Sequence, residues 1–388
     1  MPLTRRGTLR LFGLAGIGGI SACVRQAIIS QSSAPAQSPV SQIAQTTGDS
    51  TGESVDRLAQ LGIFAPPRGD ARLVVISDLN SQYGSTDYEP EVDRVIALIP
   101  DWQPDLVLCG GDMVAGQKTS LTRSQIQAMW NAFDQHVSAP LRRANIPFGF
   151  TIGNHDASGA RSSSGFIFAQ ERNLASAYWN DPRHNPGLQF VDRAGYPFYY
   201  SFLQNEIFFL VWDASTSQIP ADQLAWAERS LASSAAQSAK LRIAIGHLPL
   251  YAVAIGRDRP GEYLDQGDRL RALLERYRVH TYISGHNHAY FPGYVGNLQT
   301  LHAGLLGSGV RQLLNGNSPL LKTATVIDVN LTTADTTYTT YDAKTMQVVN
   351  QRILPRFIDS PTAKILRRDV QWADLTTAEQ ESRYVPKS

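Results

Sequence analysis

Five apolar segments in this chain end in a side chain that can ligate a divalent cation. Asp105-Leu-Val-Leu-Cys-Gly-Gly-Asp112 closes on two glycines and a carboxylate, and Leu73-Val-Val-Ile-Ser-Asp78 closes on another. Phe148-Gly-Phe-Thr-Ile-Gly153 is followed by Asn154, His155 and Asp156, and Arg242-Ile-Ala-Ile-Gly246 by His247. His280-Thr-Tyr-Ile-Ser-Gly285 is followed by His286, Asn287 and His288. Carboxylate, amide oxygen and imidazole are donors for first-row divalent metals. One such residue at a strand end is ordinarily a cap or a surface group. Five together point to a shared cation site.

The elements that must position these residues follow from their surroundings. Short, branched, glycine-bounded runs read as buried strands, and open α/β sheets place ligands just beyond the carboxyl ends of their strands. Glu91–Ile99, Asp222–Leu231 and Gly267–Arg278 have helical spacing, and Leu121–Arg143 reads as one long helix with Pro140 near its end. Strands alternating with helices imply βα units and a largely parallel sheet. Phe198–Phe202 and Ile207–Trp212 read as a buried hairpin. After His288 come β-prone runs at Leu298–His302, Thr323–Val329, Thr336–Tyr341 and Gln347–Val349, all expected in a second sheet. Trp226 reads as core, and His136, His184, His280 and His302 as packing or solvent-facing groups. Arg161, in the polar loop Gly159–Gly165, and the loop Arg257–Gln266 are candidates for the substrate side.

The 388 residues are 43% hydrophobic and 18% charged, enough for one large domain or two smaller ones. With 35 basic against 34 acidic residues, the charge balance gives no support for a nucleic-acid groove. Two cysteines, Cys23 and Cys109, imply no disulfide framework and exclude a cysteine zinc site. Residues 1–23 read as an export leader. Arg5-Arg6 resembles a twin-arginine signal, Leu11–Ala22 a short apolar core, and Ile20-Ser-Ala-Cys23 a lipoprotein cleavage box. The expectation is an exported protein on the periplasmic side of the cell envelope, held to the membrane by a lipid on Cys23 alone. Residues 24–55, rich in Ser, Gln, Thr, Pro and Ala, read as a disordered linker. The catalytic domain is expected over 56–358 and a polar C-terminal tail over 359–388, anchored by Trp372.

The set Asp78-Leu-Asn80, Gly111-Asp112, Gly153-Asn-His-Asp156, Gly246-His247 and Gly285-His-Asn-His288 resembles the calcineurin-like metallophosphoesterases, in that family's order. The resemblance implies an α/β fold, a four-layer αββα sandwich of two mixed β-sheets flanked by helices. It also implies two divalent or trivalent ions (Mn, Fe, Zn or Ni). Asp112 would bridge them, Asp78, Asn80 and His288 would complete one site, and Asn154, His247 and His286 the other. The implied activity is hydrolysis of a phosphomonoester or phosphodiester of a small molecule through a metal-bridging hydroxide. His155 would protonate the leaving oxygen, with Asp156 either fixing the tautomer of His155 or capping the turn.

The family usually has Asp-x-His where this chain has Asp78-Leu-Asn80. An amide oxygen is a weaker donor than imidazole, so the first site is expected to be weaker or to favour a more oxygen-loving ion; two tightly held ions per chain in elemental analysis would sink that expectation. Tyr83 is an alternative donor. Ala115 stands where the related purple acid phosphatases carry a tyrosine. Two other readings remain: a low-turnover phospholigand-binding or scaffold domain of the same fold, and a metal-dependent hydrolase of a non-phosphate ester.

Overall fold

The computed structural model describes residues 57–386. The leader and linker expected over 1–55 lie outside them. The strands in chain order are β1 (Ala71–Ile76), β2 (Leu106–Cys109), β3 (Phe148–Phe150), β4 (Arg161–Ser162), β5 (Gly165–Phe166), β6 (Gln189–Gly195), β7 (Tyr199–Gln204) and β8 (Ile207–Val211). They continue as β9 (Leu241–Ile245), β10 (Thr281–Ser284), β11 (Tyr290–Val295), β12 (Leu298–Ala303), β13 (Thr323–Val329), β14 (Thr336–Asp342), β15 (Phe357–Asp359) and β16 (Lys364–Arg367). The α-helices are α1 (Pro90–Trp102), α2 (Arg123–Phe133), α3 (Ala139–Arg143), α4 (Asn154–Ala157), α5 (Ala169–Asn180), α6 (Ala221–Ala232), α7 (Ser234–Ser238), α8 (Gly267–Arg276) and α9 (Thr377–Glu381).

Two sheets face each other with helices outside, the expected layered α/β sandwich. The first runs β14-β13-β1-β2-β3 and the second β15-β16-β11-β12-β10-β9-β8-β7-β6. The Tyr200 hydroxyl from β7 donates to Phe150 O in β3 at 2.5 Å, joining the layers. On the far side of the core, Thr340 Oγ1 of β14 donates to Tyr290 Oη of β11 at 2.7 Å. Helix α1 buries Val92, Val95, Ile96, Ile99 and Trp102 on one stripe, which is how an outer helix covers a sheet.

Both sheets are mixed rather than largely parallel. Only β1-β2-β3 in one and β8-β9-β10-β12 in the other are parallel blocks. The antiparallel flanks are β13 and β14 in the first sheet and β6 and β7 at one end and β11, β15 and β16 at the other end of the second. β13 and β14 join the first sheet beside β1, not the second, and Gln347–Val349 makes a single bridge, Val348 to Tyr341. The long helix expected over Leu121–Arg143 is α2 and α3 joined by a π-turn at Asp134–Ser138. Pro140 has no N–H to donate back into the preceding turn, and the turn widens before it. The segment around the boundary expected at 358 forms β15 and β16 on the edge of the second sheet. Its anchors are Leu366, Val370 and Leu375, whereas Trp372 is 50% exposed. Among the described residues no helix is long and apolar enough to cross a membrane.

His302, on β12, is fully buried between Tyr251 O (3.0 Å from Nε2) and Phe291 O (3.3 Å from Nδ1). Burial pushes its pKa down to about 4 from the ordinary 6.5. Between those values the unfolded chain takes up a proton that the folded one refuses. Stability therefore falls as pH drops from about 6.5 to about 4, by about 3 kcal/mol from this residue. Urea unfolding of wild type and His302→Asn across that window checks it. A parallel loss in both proteins would remove His302 as the cause.

Candidate metal centre

The carboxyl ends of the two parallel blocks meet at one edge of the sandwich. Asp78 follows β1, Asp112 follows β2, Asn154 follows β3, His247 follows β9, and His286 and His288 follow β10. Strands that run the same way end on the same side, so residues far apart in sequence converge. Asp78, Asp112, His286 and His288 all hold positive φ, between 49° and 65°. Each such residue costs roughly 1–2 kcal/mol, strain of the kind that functional sites retain. The glycines leave room for the approach. A Cβ on Gly153 would collide with the Asp112 carboxylate, and one on Gly285 with Ser77 Oγ and the Asp78 carboxylate.

Donor atoms of Asp78, Asp112 and His247, all buried, lie within 4.8 Å of one another. His247 Nε2 stands 3.3 Å from Asp112 Oδ2, and His288 Nε2 stands 3.2 Å from Asp78 Oδ1. Asn154 Oδ1 is 2.9 Å from both His247 Nε2 and His286 Nδ1, which are 3.3 Å apart. Donors ~2.1 Å from a common ion stand roughly 3.0–3.4 Å apart in octahedral or tetrahedral arrangement, so these separations suit shared cations.

The outer hydrogen bonds decide what the inner atoms carry. His247 Nδ1 donates to Gly110 O at 2.7 Å, His288 Nδ1 to Gly309 O at 3.0 Å, and His286 Nε2 to Glu262 Oε2 at 2.9 Å. Each neutral ring then presents a lone pair on its inner nitrogen. Asn154 Nδ2 donates to Gln117 Oε1 at 2.7 Å, which turns its Oδ1 inward. Lone pairs of Asn154, His247 and His286 thus face one another, and the buried Asp112 Oδ2 and His288 Nε2 have no hydrogen-bond partner. A buried polar atom left unpaired costs about 1–3 kcal/mol, and cations held by these residues would relieve both.

These groups set one another's ionisation. Burial opposes ionisation of Asp112, yet the His247 and His155 imidazoles hold its carboxyl far below the usual range. For Asp78 burial is likewise outweighed, chiefly by His288. Burial disfavours the charged form of His247, but the Asp112 carboxylate raises it to about 9, so a cation bound here would displace a proton from this ring. Burial lowers His286 to about 3 against the pull of Glu262. Burial and the Asp112 charge push Asp156 up to about 7.

His155 sits at the rim with 14% of its side chain exposed. Its Nε2 is 4.0 Å from Asp112 Oδ2, and its backbone N–H donates to Asp112 Oδ1 at 2.8 Å. Its Nδ1 faces Gly116 O at 3.2 Å, so that carbonyl orients the ring. Asp156 does not: its carboxylate accepts from the backbone N–H groups of Met113, Val114 and Gly153 at 2.6–2.9 Å. It ties the turn after β2 to the turn after β3, the capping alternative. Asn80 is buried, its backbone N–H donates to Asp112 O at 3.2 Å and its backbone carbonyl accepts from Ser308 N at 3.1 Å. Tyr83 is 56% exposed and packs against His155, ring centres 5.0 Å apart. Arg161 is exposed and lies over the Phe166 ring at 4.1 Å. It lines a cleft of about 960 Å³ with Arg172, Asp213 and Phe198, and none of the metal-type donors lines that cleft.

Glu262 and Gln117 escaped the sequence reading as individual residues. Glu262 lies within the loop singled out at Arg257–Gln266, but nothing in the letters aims it at His286. Gln117 had no signal at all.

The calcineurin-like phosphoesterase model matches residues 71–290, and the chain belongs to that family. Among solved structures, the purple acid phosphatase PPD1 of yellow lupin (Lupinus luteus) is 16% identical with a TM-score of 0.51, the match covering 72% of this chain and 52% of that one. The chain thus spans about half the length of the lupin enzyme. GAP50, the anchor in the inner membrane complex of Plasmodium, is 14% identical with a TM-score of 0.47, covering 72% and 87%. No curated protein sequence matches.

Proposed function

We infer that the protein is a metal-dependent phosphoesterase that hydrolyses a phosphomonoester or phosphodiester of a small molecule. The observation that carries this is the convergence of His247 Nε2, His286 Nδ1, His288 Nε2 and Asn154 Oδ1 on the buried Asp78 and Asp112 carboxylates, with Asp112 Oδ2 and His288 Nε2 left without a hydrogen-bond partner. On this reading Asp112 would serve two cations, with Asp78, Asn80 and His288 holding one and Asn154, His247 and His286 the other. When bound, such a pair makes water nucleophilic near neutral pH and neutralises charge on the phosphoryl oxygens. The chain does the rest. Gly110, Gly309 and Glu262 fix the rings, and the strand ends hold the donors before substrate arrives, so little reorganisation remains at the moment of reaction. His155 Nε2, on the rim beside Asp112, is placed to give a proton to the departing oxygen.

The test is reconstitution. Metal-stripped protein is loaded with Mn, Fe, Zn or Ni and assayed on p-nitrophenyl phosphate and its bis-ester. At least one ion is expected to restore turnover, on the order of 1 per second or faster, and chelation to abolish it reversibly. No turnover with any of the four, with phosphate ester still bound, would replace the enzyme by the phospholigand-binding reading.

A further inference from the structure

The loop between β9 and α8 carries the carboxylate that holds the His286 ring, and the hydrogen bonds that hold this loop reach as far as Tyr384. Glu262 is the hydrogen-bond acceptor for His286 Nε2, at 2.9 Å. The same oxygen takes Arg257 Nη1 at 2.5 Å. A third of the Glu262 side chain is exposed, yet its inner partner is a histidine with only 6% exposure. Glutamate here is thus a bridge from the surface loop into the buried donor set.

The loop is itself tied down. Ile255 N donates to Gln312 O and Leu264 N to Pro249 O, both at 2.9 Å. Between them Asp258, 8% exposed, accepts from Gly256 N at 3.1 Å and from the Tyr384 hydroxyl at 2.7 Å. Tyr384 belongs to the C-terminal segment, which returns across the molecule after α9 and is fastened to β15 by Ser382 Oγ donating to Asp359 Oδ2 at 2.7 Å. A segment whose sequence suggested no role therefore ends against the loop that holds Glu262.

We propose that Glu262 is a positioning residue of the metal centre: it keeps the proton of His286 on Nε2 so that the Nδ1 lone pair faces the Asn154–His247 cation, and the C-terminal segment latches its loop through Tyr384 and Asp258. The proposal rests on the metal-centre reading. An imidazole freed of an outer acceptor samples both tautomers and both ring flips, and only one combination offers Nδ1 inward. Outer partners of ligating histidines are typically worth about 10–100-fold in metal affinity. Arg257, paired with the same oxygen, keeps the carboxylate charged and aimed.

The experiment uses the full chain, with Mn or Zn as the probe, and reads affinity by competition with a chelator of known strength. Glu262→Ala is expected to weaken one of two bound ions about 10–100-fold and to leave the other unchanged. Glu262→Gln, whose amide oxygen still accepts from Nε2, recovers part of the loss. Tyr384→Phe, which keeps the packing and removes only the hydroxyl, shifts the same ion in the same direction by a smaller factor. Circular dichroism and melting temperature, measured in parallel, show whether each variant is folded. Wild-type affinity for both ions in folded Glu262→Ala, or an equal loss of both ions, overturns the positioning role, and an unchanged Tyr384→Phe overturns the latch. If Glu262→Ala does not fold, Glu262→Leu, which fills the same space but cannot accept from Nε2, carries the decision on the same criteria. A wild type that binds both ions but hydrolyses no ester defeats the phosphoesterase reading and leaves this one standing; one that binds no ion defeats both.

Discussion

Asp112→Asn is expected to lose both cations and at least about 10³-fold in kcat/KM. The phosphoryl charge stabilisation supplied by bound cations amounts to several kcal/mol, and about 1.4 kcal/mol corresponds to each factor of ten. The variant should fold. An asparagine oxygen can still accept from the His155 backbone N–H, now 2.8 Å from Asp112 Oδ1. Its amide N–H₂ would stand where Asp112 Oδ2 has no partner, 3.3 Å from His247 Nε2. A donor there satisfies the imidazole lone pair that a cation would otherwise take. Elemental analysis after exchange into metal-free buffer decides the point: two ions retained per chain would mean that Asp112 does not bridge them.

The second large effect is at His155. His155→Ala removes the imidazole but keeps the backbone N–H on Asp112, so metal content should stay at the wild-type level while kcat falls about 10²–10⁴-fold, the usual worth of a positioned general acid. The leaving group gives the sharper discrimination. A p-nitrophenolate leaves without a proton, whereas an alkoxide needs one. The loss should therefore be smallest on p-nitrophenyl phosphate and grow on alkyl phosphates. An equal loss on all leaving groups, with both ions still bound, would assign His155 to charge stabilisation or substrate binding instead of proton transfer.

The residue types at the centre were legible because chemistry constrains them locally. An apolar run that closes on Asp, Asn or His, through a glycine in every segment but the one ending at Asp78, is visible in a window of eight residues, and it singled out Asp78, Asp112, Asn154, His247, His286 and His288. The strands and helices that carry them were legible for the same reason, since period and punctuation are local properties. The π-turn before Pro140 and the edge strands β15 and β16 were harder. The first depends on how one missing N–H is accommodated, and the second on which sheet edge happens to be free.

The sequence by itself determined which polar side chains close the apolar strands and the family to which the chain belongs. Tertiary structure decided everything that depends on a partner remote in the chain. Gly116 O rather than Asp156 orients His155, Gly110 O and Gly309 O choose the tautomers of His247 and His288, and Glu262 and Gln117 turn His286 and Asn154 inward. A hydrogen bond depends on distance and angle between atoms that folding brings together, and backbone carbonyls are present at every position. No pattern of side-chain letters can mark which of them will face a given ring.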